Sequence, residues 1–176
     1  MMINTVSQIK DQLADREAIK DCLYRYCRGI DRLDMELLRS AYWPDATDEH
    51  TGFSGTIDEF IEFASSRIKK MAHNIHLIGN ILIELHGVKA AVESYFSSVG
   101  VRPQGSPRAM VVGGRYLDKF ERRNDEWRIA KRVLVHDWFH EYAETGDWAV
   151  GPFGLTDLKC GKRAPQDESY AWLGLN

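Results

Sequence analysis

Cysteine is scarce and unpatterned in this chain: three residues, Cys22, Cys27 and Cys160, among 176. No C-x-x-C pair occurs, which excludes zinc ribbons and thioredoxin-like redox motifs. Cys22 and Cys27 would point to different faces of a helix, so free thiols and a cytoplasmic location are expected. Neither sign of charge prevails. The 23 Lys+Arg stand against 26 Asp+Glu, a net −3, and that balance gives no general pull toward nucleic acid or an anionic membrane. No window reaches the roughly 18 apolar residues of a membrane helix. The opening MMINTVSQIKDQLADREAIK lacks the apolar core of a secretory signal. Also missing are H-E-x-x-H, a Gly-rich phosphate loop, G-x-G-x-x-G and G-x-S-x-G, so nucleotide-dependent chemistry and serine hydrolysis have no motif behind them. No repeat or low-complexity segment is present.

What the chain does have is an ordinary globular composition, 44% hydrophobic and 28% charged, with enough length for one domain and a real core. Ile9, Leu13, Ile19, Leu23, Tyr26, Cys27 and Ile30 recur mostly three and four apart and predict a helix over about Val6 to Ile30. A short helix comes next over Asp34–Tyr42, stopped by Pro44. Asp45–Thr56, with Gly52 and Gly55, reads as loop with one short strand. Thr56-x-x-Glu59 is a capping box opening a third helix over Ile57–Met71. The period then changes to two, predicting strands over Asn74–Leu85, Ala90–Val101, Arg108–Arg122 and Glu126–His140. The pair Gly113-Gly114 inside a strand marks a bulge or bend.

Helices succeeded by a strand meander predict an α+β fold, a curved and mostly antiparallel sheet around the N-terminal helices, with a pocket between them. In the first long strand, one face shows His76, Ile78, Asn80 and Leu82, the other Ile75, Leu77, Ile81 and Ile83. Both are largely apolar, so one is expected to meet the helices and the other a neighbouring subunit. The domain is expected over residues 1–141. A tail over 142–176, carrying Trp148, Phe153, Tyr170 and Trp172, is expected to wrap the surface, capping the pocket or a neighbour.

Several side chains have two readings. His76, in the apolar strand HLIGN, is either a core histidine or a general base. Asp31, at the end of the first helix, is either a cap for the next helix or the carboxylate that holds His76 in one tautomer. Either Arg132 or Lys131 faces the pocket, where a cation would stabilise a developing anion. Tyr26 is either core or a hydrogen-bond donor. His73-x-x-His76 and His136-Asp137-x-x-His140 suggest metal ligation, but residues three apart on a strand, as His73/His76 and Asp137/His140 are, face opposite sides, so no metal is expected.

The ordered segments YCRGIDRLD, LLRSAYWPDATDEH, HNIHLIGN and WRIAKRVLVHDW together resemble the SnoaL-like group of the nuclear transport factor 2-like (NTF2-like) superfamily. The likeness runs from about Asp15 to Trp138. Within it the chain is most similar to the scytalone dehydratase, bile acid 7α-dehydratase and hexachlorocyclohexane dehydrochlorinase branches. That resemblance implies a cone-shaped barrel with a deep apolar pocket and a His–Asp dyad working without metal or organic cofactor, with Asp31 and His76 on the dyad positions. It implies Tyr26 on the site tyrosine of the bile acid enzymes, where the dehydrochlorinases carry Lys, and Arg132 on the site arginine. No carboxylate stands near Ser97 or Val99, where the bile acid enzymes have a second Asp.

The expected activity is therefore elimination of a dehydratase type on a small hydrophobic or polycyclic molecule. Ketosteroid-isomerase-like isomerisation, non-catalytic binding, or a role like the dioxygenase β subunit are the alternatives. Tyr24, Tyr42, Trp43, Phe53, Phe60, Phe63 and Trp138 are the candidate pocket wall. A homotrimer, or a dimer, is the expected assembly.

Overall fold

The computed structural model describes residues 6–50, 52–146 and 158–174. Its elements run α1 (Val6–Arg32), α2 (Met35–Ser40), β1 (Tyr42–His50), β2 (Phe53–Thr56), α3 (Ile57–Ile68), β3 (His73–His86), β4 (Lys89–Val101), β5 (Ala109–Arg123), β6 (Glu126–Tyr142) and α4 (Glu168–Leu173). The strands form one six-stranded sheet in the order β2-β1-β6-β5-β4-β3. Every pairing is antiparallel except β1 with β6. The sheet is curved and unclosed, and α1 touches both β3 at one edge and β6 further in. The expected α+β architecture is what the chain adopts.

Local chemistry places the helices. Gly29 lets α1 and α2 meet: a Cβ there would lie 2.6 Å from the Leu38 backbone nitrogen. Leu33 adopts φ +54, which ends α1 and lets the Asp34 N–H return to the Gly29 carbonyl at 2.9 Å. Asp34 then caps α2, accepting from the Leu37 N–H at 3.0 Å. The cap expected of Asp31 therefore falls to Asp34, because Asp31 still lies in the last turn of α1 and points its carboxylate elsewhere. The predicted capping box is present, with the Thr56 N–H donating to the Glu59 carboxylate at 2.8 Å and the Glu59 N–H to the Thr56 hydroxyl at 3.4 Å.

Two expectations need correction. The second helix stops at Ser40, and the stretch read as loop is two paired strands, with β1 beginning at Tyr42. Pro44, Asp45, Asp48 and Glu49 give β1 little strand propensity. Its place between β2 and β6 overrides that weakness. The facing of β3 also changes partway along. The ladder slips between Gly79 and Leu82, where Asn80 adopts φ +46. Before the slip Asn74 and His76 face inward, and after it Ile83 is buried and Leu82 exposed. Such a bulge exchanges the two faces of a strand.

The expected irregularity at Gly113-Gly114 is present: Gly113 pairs with Trp138 but Gly114 with His136. A Cβ on Gly114 would lie 2.1 Å from the Val135 carbonyl, so only glycine fits there. The described part of the tail docks on the chain's own helices. Tyr170 is buried and its hydroxyl donates to Asp34 at 2.6 Å, with Arg28 stacked 4.6 Å above its ring. Trp172 is 90% exposed. Trp148 and Phe153 lie outside the described residues.

Candidate active site

A cavity of about 1050 Å³ opens between the concave face of the sheet and the helices. Its walls are mostly apolar, from Ile30, Phe60, Phe63, Phe96, Met110 and Leu134. Into these walls are set polar side chains, among them His50, Asn74, His76 and His136, and the basic Arg67, Lys70 and Arg102; an apolar wall with polar groups converging on it is the usual composition of a small-molecule site.

The first polar group joins α1 to β3. His76 Nδ1 donates to Asp31 Oδ1 at 2.7 Å, and the His76 backbone N–H donates to Asp31 Oδ2 at 2.8 Å. A carboxylate only accepts, so this bond fixes the proton on Nδ1 and leaves Nε2 as the ring nitrogen able to take one up. Asn74 Nδ2 donates to the same Asp31 oxygen at 2.9 Å, so the carboxylate is held by three donors. Asn74 was not anticipated. Its signal was the period of two that puts it on the His76 face of β3. The tail adds a further constraint: Arg163 donates to the Asp31 backbone carbonyl and, at 3.1 Å, to that of Met71.

Tyr26 lines the cavity next to His76, their ring centroids 6.5 Å apart. Its hydroxyl is buried with no well-formed hydrogen bond. Burial pushes the phenol further above its ordinary pKa, with the charge of Arg132 opposing, so Tyr26 is a donor and not a phenolate.

Of the two candidate cations, Lys131 turns outward to Glu49 at 2.9 Å and Arg132 turns inward. Arg132 does not reach the cavity. It is 0% exposed, lies 4.1 Å from the centroids of both Tyr26 and Tyr116, and grips Asp118 through two bonds of 2.7 Å. Burial pushes the Asp118 carboxyl above its usual range even with Arg132 opposing. The arginine therefore backs Tyr26 from behind.

The aromatic wall is smaller than expected. Phe60 and Phe63 line the cavity. Tyr24 points outward at 51% exposure. Tyr42 donates to Asp48 at 2.8 Å and lies below the cavity wall, Phe53 stacks behind Phe63 at 5.0 Å, and Trp43 donates to the Glu121 carbonyl at 3.0 Å. Trp138 is turned out by the slip beside Gly113, and His136 and Phe139, three apart, both face in for the same reason. Also unanticipated is His50 on β1, which lines the cavity with its Nδ1 against the buried Asp48. Burial lowers the His136 pKa, and His50 beside it acts in the same direction.

A curved, unclosed sheet wrapped around N-terminal helices is the NTF2-like architecture. Residues 11–133 match the SnoaL-like domain, and the chain belongs to that family. Three solved structures carry the same fold. A candidate scytalone dehydratase from Novosphingobium aromaticivorans is 18% identical with a TM-score of 0.70, covering 85% of this chain and 99% of its own. The hexachlorocyclohexane dehydrochlorinase LinA-type3 from Novosphingobium barchaimii is 22% identical at 0.69, covering 81% and 98%. A Nostoc punctiforme protein of unknown function with a cystatin-like fold is 17% identical at 0.59, covering 77% and 96%. A search of the curated proteins finds no significant match.

Proposed function

We propose that this protein is a cofactor-independent lyase, catalysing a dehydratase-type elimination on a small hydrophobic or polycyclic molecule. The observation that carries this reading is the 2.7 Å His76–Asp31 bond at the wall of a cavity of about 1050 Å³. His76 Nε2 takes a proton from carbon beside a carbonyl or similar activating group, and Asp31 orients the ring and stabilises the imidazolium. Tyr26 donates a hydrogen bond to the oxyanion that develops. Arg132 is a positioning residue, clamping the Tyr26 ring. Isomerisation would use the same base but release nothing, so a product lighter by one water separates the two chemistries.

The same reading sets the protein in the cytoplasm, where a free thiol such as exposed Cys160 persists. Among the described residues no helix is long and apolar enough to cross a membrane. It also has copies of the chain associating, as a trimer, through the outer face of β3–β5.

The test uses a butanone carrying a β-para-nitrophenoxy group, whose elimination releases coloured nitrophenolate. His76→Ala and Asp31→Asn are each expected to lower kcat by about 10²–10⁴-fold. Turnover near that of the unaltered protein in both variants would sink the dyad.

A further inference from the structure

The cavity holds a second His–carboxylate pair at the other end of the sheet. β1 and β3 are separated in the sheet by β6, β5 and β4, yet the curvature brings His50 of β1 and His76 of β3 to one cavity. The two pairs are built alike. His50 Nδ1 meets Asp48 Oδ1, as His76 Nδ1 meets Asp31 Oδ1, so Nε2 is the remaining nitrogen in both rings. Asp48 is 0% exposed and its second oxygen accepts from the Tyr42 hydroxyl at 2.8 Å. A buried carboxylate so held orients an imidazole and keeps it in one position. Phe60 packs on the His50 ring, centroids 4.7 Å apart and 30° between planes. The charged and titratable groups around the ring come from three strands: Asp48 and Tyr42 on β1, Tyr116 and Asp118 on β5, Arg132 and His136 on β6.

We propose that His50, held by Asp48, is the general acid of this cavity and delivers the proton that the departing hydroxyl needs. The assignment rests on the lyase reading, which supplies a base but no proton for the leaving group. In the step, His76 Nε2 takes the proton on carbon. The C–H electron pair becomes the new C=C bond, the C–O bond breaks, and its electrons go to oxygen, which takes the proton from His50 Nε2. The products are the alkene and water. One proton has moved onto His76 and one off His50, and exchange with solvent restores both rings. Tyr26 cannot fill this role as well, because burial makes its phenol reluctant to part with a proton. It remains a hydrogen-bond donor.

The experiment compares two butanones, one with a β-hydroxyl and a β-phenyl group, the other with the β-para-nitrophenoxy group. Nitrophenolate leaves without help, and hydroxide does not. In His50→Gln, and in His50→Phe, which keeps the stacking on Phe60, the rate ratio of nitrophenoxy over hydroxy elimination is expected to rise at least about 100-fold. Asp48→Asn is expected to move the ratio the same way, and His76→Ala to lower both rates with the ratio held. A ratio unmoved by both His50 variants, in a protein that still releases nitrophenolate through His76, overturns the acid role alone. No elimination of either ketone by the unaltered protein overturns the lyase reading and the acid role together.

Discussion

Arg132 is a full positive charge without contact to water, and its neighbours explain why it is tolerated. Two bonds to Asp118, through Nε and Nη2, and a tyrosine ring on each side offset much of the lost hydration. Asp48 lies opposite it across the β1–β6 ladder. Removing only the cation would strand buried carboxylates, and breaking such a pair costs about 3–5 kcal/mol. Arg132→Met is therefore expected to lower the unfolding free energy by that amount in urea titration. Arg132→Met combined with Asp118→Leu should recover much of it, because the carboxylate that Arg132 grips is then gone too. A double variant no more stable than the single one would contradict the pairing. At this scale sequence reading went part of the way. Asp31 and His76 stood out through resemblance. The choice between Lys131 and Arg132 could not be made until the β1–β6 register was known, because neighbouring strand residues differ only in which face they take. Asp48 and His50 were hidden for another reason: they lie in WPDATDEH, whose polar and Pro-containing run imitates a loop.

The elements that position the dyad include one late in the chain. Arg163 reaches the carbonyl of Asp31, and α4 is fastened to α1 and α2 by Asp167 and Tyr170. The Asp167 carboxyl is pulled from 3.8 down to about 2, first by the Ser169 hydroxyl and then by the Lys162 N–H. A depressed acid stabilises the docked state at pH above its free value, and that contribution fades as pH falls from 3.8 toward about 2. Tyr170 is raised from 10.0 to about 12, chiefly by burial and then by its bond to Asp34. Its contribution is complete below 10.0 and lost as pH climbs toward about 12.

Cys160 reports on this segment. It is exposed, whereas burial pushes Cys22 up to about 11 and Cys27 to about 12, which keeps those thiols unreactive. A dye on Cys160 is expected to gain rotational freedom at both pH limits. Asp167→Asn should flatten the acid limb and Tyr170→Phe the alkaline one. Unchanged profiles in both variants would show that the tail is held by other contacts. The helices α1 and α3, the meander β3–β6 and the capping box were legible because period and cap chemistry are local signals. The slip at Gly114 was legible from its glycine pair; the one at Asn80 was not, since it depends on how far the sheet must bend to enclose the cavity.

At the scale of the whole molecule, the sheet has two unlike faces. The concave one is covered by helices. The convex one carries Ile75, Leu77, Leu82, Tyr95 and Leu117 at 50%, 63%, 57%, 45% and 39% exposure, drawn from three adjacent strands. Contiguous apolar surface of this kind marks an interaction site more often than scattered single residues do, and a second copy of the chain supplies a matching apolar patch. Leu77 is the most exposed of the five, and it lies one residue from His76 on the opposite face of β3. Association through this face would therefore brace the strand that carries the base. Sedimentation at micromolar concentration is expected to give the mass of a trimer, and Leu77→Glu to give the mass of one chain. The lone chain should keep its helical circular dichroism, since the concave core is untouched. A single-chain mass for the unaltered protein would exclude self-association through β3–β5. An assembly that survives both Leu77→Glu and Leu117→Glu would move the contact to another surface.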